Sequence, residues 1–93
     1  MKDEKAFYDK LKESLDETTE FPTKYMYKFI ILTVEKRIQE VEGIFDNMGA
    51  VITSKPSKNG KYTSLTILVN MKNSDDIIAK YKEVSDVEGI ISL

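Results

Sequence analysis

The chain of 93 residues contains no cysteine and no histidine. Without cysteine there are no disulfides, no thiolate zinc sites and no cysteine nucleophile. Without histidine, the commonest metal ligand and the commonest general base near neutral pH are missing too. Ser57 and Ser64 do stand near lysines. A serine–lysine dyad, however, needs a buried, neutral lysine, and lysines beside a turn tip are expected to be exposed. Asp75 and Asp76 are adjacent, but hard-metal sites need several converging oxygens, and the pair reads as helix capping. These absences argue against most catalytic chemistries. They predict a protein that is not an enzyme and holds no cofactor or metal.

Long apolar runs are also missing. No stretch approaches the roughly 18 residues of a membrane span. Met1-Lys2-Asp3-Glu4-Lys5 leads into a charged segment without the apolar core of a secretory signal. The expectation is a small cytoplasmic protein with one modest core and no membrane partner.

Acids are missing from one region only. Residues 47–74 contain four lysines (Lys55, Lys58, Lys61 and Lys72) and no aspartate or glutamate, so that region carries +4 and the remainder −6 of the net −2. A basic segment on an acidic domain steers anionic partners, although lysines on a loop and at strand ends also serve simply as solvated charge.

What is present has a clear order. Phe7, Leu11 and Leu15 recur every four residues, with Asp3 and Glu4 ahead of them, and predict a helix over residues 3–15. Asp16-Glu17-Thr18-Thr19-Glu20 reads as an acidic connector. Phe21-Pro22 opens the compact part, and from Lys24 the pattern alternates. Tyr25, Tyr27, Phe29 and Ile31 point to one side of a strand, and Met26, Lys28 and Ile30 to the other. Thr33 is placed to cap a helix whose buried stripe is Val34, Ile38, Val41 and Phe45, ended by Asn47-Met48-Gly49.

A short strand over residues 50–55 follows, then Asn59-Gly60, a hairpin signal of type I′ that requires φ > 0 at both residues. The second arm, residues 61–71, should be the central strand. Its Leu65, Ile67 and Val69 face the helices, and Tyr62, Ser64, Thr66 and Leu68 face away. Asn73-Ser74-Asp75-Asp76 caps a second helix with Ile77, Ile78, Tyr81 and Val84 buried, and residues 87–93 form a last strand.

From residue 24 the order is therefore β-α-β-β-α-β. Right-handed crossovers leave one natural solution: an α+β, ferredoxin-like sandwich with two helices on one face of a four-stranded antiparallel sheet. Residues 1–20 are an N-terminal helical extension and connector, and residues 21–93 the folded domain. The uncovered face, with Met26, Lys28, Ile30, Tyr62, Ser64, Thr66 and Leu68, is one candidate surface for a partner or for the N-terminal helix. The hairpin, with Lys55, Ser57, Lys58, Asn59, Gly60 and Lys61, is the other. Together with Ser54, its turn backbone suggests a small anion nest.

Phe21-Pro22-Thr23 with Tyr27-Lys28, the block Lys55-Pro56-Ser57-x-x-Gly60-x-Tyr62-x-Ser64 and the ending Ile91-Ser92-Leu93 resemble the YbeD-like family. These are small bacterial proteins carrying a domain of unknown function. The resemblance covers about residues 21–93. It implies an ACT-like, ferredoxin-type fold; members of the family have been suggested as regulators linked to lipoate metabolism, and none has an established activity. Two departures stand out. Family members commonly carry a glycine shortly after the first-strand lysine, where this chain has Phe29-Ile30-Ile31-Leu32-Thr33. That glycine lets a ligand backbone approach closely in amino-acid-binding ACT domains, so its absence counts against such a site. The N-terminal helix is also longer than the family's short lead-in.

The functional expectation is a non-catalytic regulatory or interaction module that pairs with another protein or with a second copy. The alternative is a module for single-stranded nucleic acid or a small anion. The same element order carries RNA-recognition domains, but those stack bases on several aromatics at period two. Lys61-Tyr62-Thr63-Ser64-Leu65-Thr66-Ile67 supplies one, and the acidic total opposes nucleic acid.

Overall fold

Alternation in one strand organises the molecule. In the computed structural model, which describes residues 4–92, strand β1 spans Thr23–Leu32. It buries Tyr27, Phe29 and Ile31 completely while leaving Met26 and Lys28 exposed. Helix α1 (Glu4–Thr18) precedes it. Helix α2 (Glu35–Ile44), strand β2 (Val51–Pro56), strand β3 (Tyr62–Met71), helix α3 (Ser74–Ser85) and strand β4 (Ile91–Ser92) follow. The sheet order is β2-β3-β1-β4, with every neighbouring pair antiparallel. This is the ferredoxin-like arrangement expected from the element order.

The core lies between the sheet and the helices. Leu65, Ile67 and Val69 of β3 and Val41, Phe45, Ile77 and Val84 from the helical side close around Tyr27 and Phe29. Tyr27 is the hub. Its ring centroid lies 4.8 Å from those of Tyr25 and Tyr81 and 5.1 Å from that of Phe45. Such pairs contribute about 0.5–1.5 kcal/mol each beyond area burial. Its hydroxyl donates to the carbonyl of Ile77 at 3.0 Å, so its polar atom is satisfied.

The α3 cap is as expected: Asn73 Oδ1 accepts from the Asp76 amide at 2.8 Å, with Asp75 and Asp76 in the first turn. Four local readings need correction. Thr33 does not cap α2. Its hydroxyl pairs with that of Thr63 at 2.8 Å and its amide donates to Lys61, so the sheet holds it, and Val34 becomes the capping residue, exposed and outside the buried stripe expected of it. Helix α1 runs on to Thr18 through Asp16 and Glu17, closed by the Thr18 hydroxyl donating to Ser14 at 2.7 Å. Its predicted first residue, Asp3, lies outside the described residues, as does Leu93 at the end of the last strand. That strand is shorter than predicted: Val87 is buried and Gly89 has φ 78°, so a turn occupies the segment before Ile91. Finally, the hairpin is not a type I′ turn. Gly60 has φ 76°, but Asn59 is not in the left-handed region.

Helix α1 lies on the helical side against α3, not over the open face. Leu15 is buried and Leu11 packs beside it. At the far end of the contact, Lys12 donates to Asp16, and Ser74 donates to Asp16 at 2.6 Å.

Candidate functional site

The hairpin is built by its own side chains. Gly60 donates its amide to the Ser57 carbonyl at 2.9 Å, closing a turn over Lys58 and Asn59, and Gly60 supplies the left-handed residue that follows. Asn59 Oδ1 accepts from the Ser57 hydroxyl at 3.1 Å and from the Lys61 amide at 3.0 Å. Ser57 Oγ in turn accepts from the Tyr62 amide at 3.0 Å. The amides of Gly60, Lys61 and Tyr62 are thus engaged within the loop. What the loop presents outward is lysine: Lys55, Lys58 and Lys61 are exposed, with the Lys61 ammonium 5.7 Å from the Tyr62 ring centroid.

Strand register defines the open face. Met26 pairs with Leu68, Lys28 with Thr66 and Ile30 with Ser64, so the face residues named from sequence sit on one surface of β1 and β3. Register also adds residues that alternation alone did not assign. Val51 pairs with Leu68, Thr53 with Thr66 and Lys55 with Ser64, which puts one side of β2 on this surface. Leu32 pairs with Tyr62 and Ile91 with Ile30. Val51 is 62% exposed, Ile91 52% and Met26 49%. Lys55 belongs to both candidate surfaces, and the two meet. Ile30, Tyr62 and Ser64 join Lys55, Pro56, Ser57 and Lys58 around one shallow depression of about 330 Å³.

The charge on this face has one sign. Lys24, Lys28 and Lys55 lie on it, and none of its residues in the described strands is an acid. Among the described residues, Lys24, Lys28, Lys55, Lys58 and Lys61 take part in no ion pair. Ion pairs form elsewhere, at Lys5, Lys12, Arg37 and Lys80. The face is mixed: Met26, Leu68 and Val51 form an apolar row, Ile30 and Ile91 an apolar pair, and Lys28, Thr66 and Thr53 form a polar row between them, with the lysines unpaired. No group of three or more carboxylates gathers as a metal site among the described residues, and none of their helices is long and apolar enough to cross a membrane.

Known proteins resemble this chain over most of its length. Residues 16–93 match the family described as "Protein of unknown function (DUF493)". A UPF0250 protein of Shewanella sediminis is 31% identical over 83 residues, covering 86% of this chain and 94% of the relative. The UPF0250 protein YbeD of Escherichia coli is 26% identical over 81 residues, covering 84% and 93%. The solved structure of the uncharacterized protein TM1266 from Thermotoga maritima superposes with a TM-score of 0.61 at 14% identity, over 76% of this chain and 94% of that one. That similarity speaks for the fold alone. The chain belongs to the DUF493 family, the YbeD-like small bacterial proteins of unknown function.

Proposed function

We propose that this protein is a non-catalytic interaction module whose open sheet face binds an acidic segment of another protein that also carries apolar side chains. One observation carries the reading: the exposed apolar side chains Met26, Val51 and Ile91 share one face with Lys24, Lys28 and Lys55, and no acid stands on that face in the described strands. Apolar area supplies the affinity, and complementary charge supplies orientation and on-rate. Two such faces would bring like charges together, which favours a different protein over a second copy. Tyr62 is the one aromatic on the face in the described strands, too few for the stacking platforms that hold single-stranded nucleic acid. The hairpin lysines extend the basic surface from the edge of the same depression.

Site-specific photocrosslinking in cells tests this. A benzoylphenylalanine at position 66, in the middle of the face, should capture one protein partner. The same probe at exposed Lys36 on the helical side should not. The double substitution Lys28→Glu with Lys55→Glu should abolish the product. Equal capture from both positions, a nuclease-sensitive product, or a crosslinked copy of the chain itself would each refute the reading.

A further inference from the structure

On the other side of the sheet, α1, α3 and β1 border a half-open cavity of about 480 Å³. Its size falls within the range of ordinary small-molecule sites. Five aromatic rings border it, those of Phe7, Tyr8, Tyr25, Phe29 and Tyr81, and none of the described residues lining it is charged. A lining without charge gives an ionic ligand nothing to offset its lost hydration. The flat faces and edges of the rings suit an aromatic body.

Two details give the cavity a specific polarity. The hydroxyls of Tyr25 and Tyr81 lie 2.8 Å apart and share one hydrogen bond. Two phenols carry two protons, and that bond uses one, so the accepting phenol keeps an O–H with no acceptor among the described residues. Phe7, at the rim, is 61% exposed, unusual for a large apolar side chain bordering an apolar cavity. A bound molecule would cover it. The anchored half of α1, around Leu15 and Asp16, holds the helix in place while its first turns form this rim.

We infer that this cavity binds a neutral aromatic small molecule bearing a carbonyl oxygen, which accepts the spare Tyr25–Tyr81 proton while the rings and Phe7 enclose its apolar body. The site is separate from the open face. Tyr25 and Phe29 point inward, whereas Met26, Lys28 and Ile30 point outward from the same strand.

The test uses two neutral fluorescent probes on the full chain: prodan, a naphthalene with one ketone, and phenylnaphthylamine, which has no carbonyl. Prodan emission should shift to the blue and saturate at one probe per chain. The pair of substitutions Tyr25→Phe and Tyr81→Phe should weaken prodan about five-fold, the equivalent of one ordinary hydrogen bond, and leave phenylnaphthylamine unchanged. Ser85→Trp, which fills the cavity from the last turn of α3, should abolish binding of both. Phe7→Ala, at an exposed position with little bearing on folding, should weaken both. Lys28→Glu with Lys55→Glu should alter neither, so failure here and failure of the open-face reading are separately visible. The inference is overturned if the native chain gives no saturable shift, if Ser85→Trp or Phe7→Ala binds like the native chain, or if the double phenylalanine variant affects both probes equally.

Discussion

Ser74, buried at the start of α3, donates its hydroxyl to Asp16 near the end of α1 at 2.6 Å, and accepts from Lys12 at 3.2 Å. Lys12 also lies 3.4 Å from Asp75, so four side chains tie the N-terminal helix to the first turn of α3. Replacing Ser74 with alanine removes the shared centre of this cluster. Amide exchange along α1 should accelerate by about five-fold, with little change in the sheet. Hydrogen-exchange mass spectrometry resolves the two regions.

The same clasp responds to acid. The Ser74 hydroxyl first, and then Lys12, hold the Asp16 carboxyl below the usual carboxylate range. A carboxyl with a depressed folded pKa contributes stability that is present above its unfolded value, near pH 4, and is lost as pH falls through the folded value. Helix α1 should therefore loosen below about pH 4. The Asp16→Asn variant should lose that pH dependence, as read by exchange of α1 amides.

Alkali acts on the core instead. Burial is the first cause raising the Tyr27 and Tyr81 phenols, with the neighbouring Tyr25 adding to both. A group raised in the folded state adds stability that is complete below its unfolded pKa and is lost as pH climbs toward the folded one. Unfolding should therefore become easier above about pH 10. Phenolate absorbance followed alongside circular dichroism should show part of the tyrosine signal appearing only with loss of structure. Tyr27→Phe also removes the bond to Ile77 and should cost about 1 kcal/mol in urea unfolding at neutral pH.

Gly60 has φ 76° and nothing within 4 Å of where a Cβ would sit. Gly60→Ala therefore meets no clash, and its cost is conformational, about 1–2 kcal/mol. Gly60→Asn should cost less, because asparagine tolerates the left-handed region. Thermal or urea unfolding of the two variants gives the ranking.

Lys28 and Lys55 have no ion-pair partner among the described residues. Lys28→Glu with Lys55→Glu should change stability by no more than about 0.5 kcal/mol each. Loss of partner capture with an unchanged urea midpoint would separate a surface effect from unfolding.

Much of the fold was legible because its main strands alternate at period two. Tyr27, Phe29 and Ile31 against Met26, Lys28 and Ile30 is a pattern only a half-covered sheet produces, and β3 repeats it. Local chemistry was harder to read. Thr33 reads as a cap, but Thr63, thirty positions along the chain and brought beside it by the sheet, shares a hydrogen bond with its hydroxyl. Asn59 is the hub of a hydrogen-bonded loop whose turn spans Lys58 and Asn59, and not the first residue of an Asn-Gly turn, because the Ser57 hydroxyl and carbonyl, which the dipeptide signal ignores, close the loop. The face assignment of Val51, Thr53 and Lys55 needed the β2–β3 register. The cavity was out of reach entirely. It brings Phe7 near Ser92, and no spacing rule joins the two ends of a chain.

Strand β1 borders both surfaces at once, the cavity through Tyr25 and Phe29 and the open face through Met26, Lys28 and Ile30. Inserting one residue ahead of Tyr25 would turn every later side chain over, putting Lys28 into the core and Tyr27 into solvent. The length of this strand is consequently far less free to drift between related chains than that of the exposed hairpin, where an added residue lengthens a loop and leaves both surfaces in place.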